Sequence, residues 1–209
     1  MTELNGLERE LRDAGRRHDV DPPAPPDLID AAAAAGLLDV AYAKVDSPVG
    51  TLLLASTPAG LIRIAYLDGP EDSILDEIAR RVSPRVLAAP RALDKPRREL
   101  DEYFKGRRRS FEIAIDWQLM SDFGRRVMAA TAAIPYGSVS TYKDVAAGAG
   151  SPRGARAAGN ALGANPLPIV LPCHRVLHAG GGLGGYTGGL DRKRTLLAIE
   201  RGQAQLTGV

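Results

Sequence analysis

The segment NPLPIVLPCHRVL, residues 165–177, constrains the chain more tightly than any other stretch. Proline locks φ and removes a backbone donor, so Pro166, Pro168 and Pro172 restrict how the segment enters a regular ladder. The apolar run Ile169-Val170-Leu171 between two of them reads as a short strand-like piece. Pro172 then makes a rigid approach to Cys173, which is followed directly by His174 and Arg175.

Cys173 is the single cysteine among 209 residues. It has no partner for an internal disulfide. The histidines are His18, His174 and His178, too few for a four-ligand metal set, so no metal and no cofactor is expected. A thiol becomes a nucleophile when its thiolate is populated, and a neighbouring imidazole or cation favours that form. His174 and Arg175 are the adjacent candidates. Consecutive side chains of an extended segment point to opposite faces, so His174 is placed to reach the sulfur through a water. Two readings of Cys173 stand at this point: a nucleophile, or a buried structural cysteine of the ordinary kind.

The rest of the chain divides by character. Residues 1–37 form an appendage: a charged helix with Leu4, Leu7 and Leu11 on one face, a DPPAPP break, and an alanine-rich helix from Ile29 to Ala35. An α+β domain follows over 38–115. In it, VAYAKVD, GTLLLAST and LIRIAYL are separated by the turn signals SPVG and TPAG and read as an antiparallel meander. PEDSILDEIARRV and DKPRRELDEYF have helical periodicity, and RVLAA and FEIAI are candidates for further strands.

From 116 to 209 the chain is mainly helical with glycine-rich loops. Ser121 is placed as the N-cap of DFGRRVMAATAAI, and Thr141 with Asp144 resembles a capping box opening YKDVAAG. After Gly148 and Gly150, Ser151-Pro152 is expected to open a helix through PRGARAAGNALG. Two short helices around a glycine turn outline a helix-turn-helix.

Charge is uneven. Residues 1–115 carry 17 Lys/Arg against 20 Asp/Glu, whereas 116–209 carry 10 against 5. The basic C-terminal half suits a polyanionic partner. The first twenty residues lack an apolar signal core, and no apolar run reaches membrane-spanning length, so a cytoplasmic protein without membrane contact is expected.

PCHRV, with NPLPIVL before it and GGLGGYTGGLDRKRTLLAIE after it, resembles the signature of the O6-alkylguanine-DNA alkyltransferases, and the likeness runs in order through residues 40–202. The resemblance implies an RNase H-like N-terminal domain and a one-use repair reaction, in which the cysteine takes an alkyl group, chiefly methyl, from O6-alkylguanine in duplex DNA. O4-alkylthymine is a further conceivable substrate, and the protein is expected to act as a monomer. By the same resemblance Cys173 is the nucleophile, His174 its water-linked base, Glu200 the acid orienting the histidine, and Asn165 the brace of the turn. Tyr142 and Lys193 match donors to the departing guanine. The pocket is expected from Tyr186 and from backbone groups near Val176 and Thr187. Arg156, in the second helix of the helix-turn-helix, matches the arginine that replaces the flipped base. Thr141, Ala155, Ala157, Gly159 and Arg175 are assigned with it to the DNA side.

The chain departs from the family pattern at Met128, Asn160 and Thr187, in its long appendage, and in lacking the cysteine of an N-terminal zinc site. Two other function classes remain open on the sequence: a non-catalytic sensor of alkyl lesions, against which Cys173 argues, and a helix-turn-helix regulator, which leaves PCHRV unexplained.

Overall fold

The computed structural model describes residues 38–202. The expected appendage helices of residues 1–37 lie outside that range. Strands β1 (Val40–Val45), β2 (Leu52–Thr57) and β3 (Gly60–Tyr66) form the expected antiparallel meander. RVLAA supplies β4 (Val86–Ala88), which pairs parallel to β1, so the sheet is mixed, with the order β3-β2-β1-β4. The cause is helix α1 (Glu71–Arg81). It carries the chain back after β3, so β4 starts in the direction of β3 and β1.

Side chains of a strand alternate between faces, and here both faces are covered. Leu53, Ala55 and Ile62 pack with Ile78 of α1, whereas Leu52, Leu54, Leu61 and Ile64 join the larger core. Burial on both sides explains why LLLA is apolar without alternation. The larger core continues into α2 (Asp94–Phe104) through Leu100 and Tyr103, and onward to Val127, Met128, Cys173 and Leu196. The sheet and the helical half therefore share one apolar interior.

FEIAI does not become a strand. It touches β3 through a single parallel bridge, Leu61 to Ile115, with hydrogen bonds from Leu61 N–H to Ala114 O (2.8 Å) and from Asp116 N–H to Leu61 O (3.0 Å). Three residues along the same edge, the Ile64 N–H is taken by the carbonyl of Pro166 at 2.8 Å. The free edge of β3 is thus divided between two segments, and neither can extend into a ladder.

In the helical half, Ser121 caps α3 (Asp122–Ala132) by accepting from the Gly124 N–H at 3.1 Å. A two-stranded parallel ladder joins β5 (Ser140–Thr141) to β6 (Val176–Leu177). Helices α4 (Tyr142–Gly148) and α5 (Ala155–Gly163) are the expected pair, turned by Gly150 at φ 78°. Pro152 does not open α5. Residues 151–154 form a separate turn closed by the Gly154 N–H to Ser151 O bond (2.8 Å), and the helix starts at Ala155. Helix α6 (Leu190–Glu200) completes the fold. Among the described residues no helix is long and apolar enough to cross a membrane.

Gly60 has φ 144°, and a Cβ there would overlap the backbone carbonyl of Ala114. Gly60→Ala is expected to cost about 1–3 kcal/mol by forcing a sparsely populated backbone and parting the 114 segment from β3. Urea denaturation of the two proteins measures this.

Candidate active site

The proline-bounded segment reaches its cysteine by a turn and not by the expected strand. Ile169, fully buried, has φ 77°, a conformation that a β-branched residue rarely adopts. Asn165 holds the turn together from inside. Its Oδ1 accepts from the Leu167 N–H (2.9 Å) and its Nδ2 donates to Leu171 O (2.8 Å), while the Leu171 N–H donates to Leu167 O. Burial of Leu167, Ile169 and Leu171 offsets the strain.

Cys173–Arg175 then form one turn of 3₁₀ helix, which changes how the three side chains are presented. The Cys173 sulfur faces an open cleft of about 720 Å³, inside the roughly 300–1,000 Å³ range of small-molecule sites. The side-chain bond to the sulfur comes from Asn165 Nδ2 at 3.2 Å, not from His174. Burial pushes the thiol above its ordinary pKa. The Asn165 bond, the charge of Lys193 and the backbone N–H groups of Cys173 and His174 act the other way without cancelling it.

His174 and Arg175 turn instead toward Glu200, at the end of α6. His174 Nε2 lies 2.8 Å from Glu200 Oε1, and Arg175 grips the carboxylate through Nε and Nη2, each at 2.9 Å. The Gly137 N–H donates to Oε2 at 3.0 Å and the Tyr103 hydroxyl to Oε1 at 2.8 Å. Burial alone would raise the Glu200 pKa, but the bonds from His174 and Arg175 outweigh it and hold the group at about 2. An ionised carboxylate only accepts, so His174 Nε2 carries the proton and Nδ1 keeps a lone pair. That Nδ1 is buried and has no partner among the described residues. Burial lowers the His174 pKa, more than the bond to Glu200 raises it, so the ring is neutral and free to accept a proton at pH 7.

Several expected site residues meet at the cleft. Tyr142, Tyr186 and Thr187 line it with Cys173, and Ala155, Arg156 and Gly159 of α5 face it from the other side. Arg156 is exposed. Others go elsewhere. Arg175 is buried in the Glu200 pair and also donates to Ile134 O at 2.6 Å, so it is not a DNA-facing side chain. Its assignment to the DNA side is corrected: burial of a guanidinium requires an ionic partner, and Glu200 is that partner. Lys193 does not line the cleft. Its Nζ is engaged by the carbonyls of Val176 (2.7 Å), Leu183 (2.5 Å) and Gly185 (3.3 Å), which accounts for its three donors. The Val176 side chain is fully buried. Thr141 spends its hydroxyl on Asp144 as the cap of α4, and Ala157 is exposed outside the cleft lining.

Three contributors went unread in the sequence. Tyr103, which the helical spacing of DKPRRELDEYF placed only on a helix, donates to Glu200 from the N-terminal half. Tyr66, at the end of β3, shares a 2.7 Å hydrogen bond with Tyr186. His178 lines the cleft with its ring 5.2 Å from that of Tyr142.

Comparison with known proteins agrees with this fold. Residues 40–117 match the family described as 6-O-methylguanine DNA methyltransferase, ribonuclease-like domain, and residues 122–202 match its DNA binding domain. A methylated-DNA–protein-cysteine methyltransferase of Mycolicibacterium paratuberculosis is 42% identical over 162 residues, covering 78% of this chain and 93% of that protein. One of Methanosarcina barkeri is 37% identical over 161 residues, covering 76% and 96%. The crystal structure of Mycobacterium tuberculosis OGT in complex with DNA superposes with a TM-score of 0.67 at 36% identity, covering 78% of this chain and 94% of that one. Fold and site define the class: an α/β half joined to a helical half, with one cysteine at a cleft bordered by a helix-turn-helix. The chain belongs to the 6-O-methylguanine DNA methyltransferase family.

The buried cluster makes stability depend on acid. In the unfolded chain Glu200 takes a proton near 4.5 and His174 near 6.5, and both values are lower in the fold. The unfolded state therefore binds more protons throughout that window, and stability falls as pH drops. Unfolding free energies measured by urea titration are expected to decline from pH 7 toward pH 2. Glu200→Gln should cost about 3–5 kcal/mol at pH 7 by leaving Arg175 buried without its counter-ion, and should flatten the decline between pH 4.5 and 2 to the part that Asp39, Asp68 and Asp116, also lowered in the fold, contribute.

Proposed function

We propose that this protein repairs duplex DNA by moving an alkyl group from the O6 oxygen of guanine onto Cys173, once per molecule. The observation that carries the reading is the placement of the Cys173 sulfur at an open cleft while a neutral His174, ion-paired Glu200 and Arg175 stand behind it. A base inside a duplex cannot meet a sulfur set into a cleft, so the nucleotide is flipped out first. Arg156, exposed on α5 beside the cleft, takes the vacated position, and the small residues Ala155 and Gly159 let the helix approach a minor groove.

The sulfur attacks the alkyl carbon in line with the departing O6, forming the S–C bond as the C–O6 bond breaks. The thiol is protonated in the resting protein, so its proton must leave during the step. A water at the unpaired Nδ1 of His174 passes it to the imidazole, and Glu200 stabilises the imidazolium from Nε2. The electron pair of the C–O bond goes to the guanine, whose charge is relieved by a proton or hydrogen bond. Tyr142 is the donor at hand. Burial raises its pKa, while a bond from the Gly185 backbone works the other way and leaves its own O–H free to donate. With its three donors engaged, Lys193 acts through its charge and by fixing the loop around Leu183 and Gly185.

A thioether carbon holds a poor leaving group, the thiolate, so the acceptor is not regenerated. Every group in the step comes from one chain, which supports a monomer; we place it with its DNA in the cytoplasm.

Incubation with duplex DNA containing O6-methylguanine is expected to add one methyl mass to each chain, on Cys173, with no second turnover. Binding without a mass gain would make the protein a lesion sensor, and many turnovers would make it a hydrolase. Arg156→Ala should slow reaction with the duplex by about tenfold or more, roughly 1.4 kcal/mol, and leave reaction with the free base nearly unchanged. Equal losses on both substrates would remove Arg156 from base flipping.

A further inference from the structure

Tyr186 lines the cleft beside Cys173, and both it and Tyr66 lie close enough to that sulfur for a thiolate to disfavour their own ionisation. The Tyr186 hydroxyl is tied to the Tyr66 hydroxyl at 2.7 Å, with the rings edge to face at 6.3 Å. Tyr66 is itself held on three sides. Arg192 lies over its ring at 4.4 Å, β3 fixes its backbone, and Gly188 backs it so closely that any Cβ there would overlap the ring. Arg192 is anchored in turn by Val49 O (2.6 Å), Gly188 O (3.1 Å) and both oxygens of Asp68.

We propose that Tyr66 is a specificity-determining residue: through its hydroxyl bond it pins Tyr186 as a wall of the alkyl pocket and sets how large a transferred group Cys173 accepts. The inference rests on the alkyl-transfer reading. A methyl group fits beside the pinned ring. A group wider than the gap is seated only when Tyr186 swings aside, which breaks its bond to Tyr66 and leaves two partly buried hydroxyls unpaired. The β3 strand of the N-terminal half thus takes part in substrate selection, although the acceptor and the helix-turn-helix belong to the C-terminal half.

The test compares single-turnover rates of full-length wild type and Tyr66→Phe on duplexes carrying O6-methylguanine or O6-benzylguanine, read as the mass of the adduct on Cys173. Tyr66→Phe removes only the hydroxyl. The benzyl-to-methyl rate ratio is expected to rise about fivefold, the effect of one neutral hydrogen bond no longer opposing displacement of the ring. Tyr186→Phe deletes the same bond from its other end and should raise the ratio similarly, and the double variant should add little to either. A ratio within twofold of wild type in both single variants, or equal slowing on both substrates, overturns the proposal. A wild-type protein that takes up neither group overturns the transfer reading itself, so the two failures are distinguishable.

Discussion

The ionised carboxylate of Glu200 is the interaction on which the site depends. An isolated charge in a protein interior costs several kcal/mol, and this one is tolerated because three separate parts of the chain donate to it. Tyr103 comes from α2, Gly137 from the turn after α3, and His174 with Arg175 from the 3₁₀ turn, while Glu200 itself closes α6. Satisfying the charge therefore assembles the site. The same bonds select the His174 tautomer with Nδ1 unprotonated, which is the form able to receive the thiol proton. Stability and reactivity draw on one set of contacts.

The second organising constraint is the edge of β3. Its Ile64 N–H holds the Pro166 carbonyl, and Pro166 begins the turn that Asn165 braces and Cys173 ends. At the far end of the strand Tyr66 holds Tyr186. The sheet thus holds both the turn that carries Cys173 and the Tyr186 ring at the cleft. A joint core across the two halves keeps these supports in register, because close-packed interiors transmit displacement and do not absorb it.

Lys193 and Arg175 illustrate how a buried cation takes its role from what surrounds it. Lys193 has no carboxylate partner among the described residues. It is held by three carbonyls of the strand and loop beside the cleft, and its charge reaches Cys173 without direct contact. Arg175 gives its fork to Glu200 and a further N–H to Ile134 O, and its burial keeps it from DNA. Both stay inside, whereas Arg156 remains at the surface where a polyanion can meet it.

Local information in the sequence determined a good deal. Periodicity marked α1 and α2, Ser121 and Thr141 announced the starts of α3 and α4, and short strand-like runs separated by turn signals specified the meander. The residue types at 173 and 174 narrowed the chemistry, and the likeness to a known family named Glu200 and Asn165 as their partners. These features depend on neighbours a few residues apart, where backbone preference and capping decide. Tertiary structure alone decided the rest. The Ile169 run became a strained turn because Asn165 and Pro166 were satisfied from within and across the sheet edge, and FEIAI lost its ladder to that same edge. Arg175 went inward, Lys193 went to carbonyls, and Tyr103 and Tyr66 joined the site from positions 97 and 120 residues away from their partners. Such assignments follow from burial, which makes each polar group seek whichever partner the packed chain brings within reach.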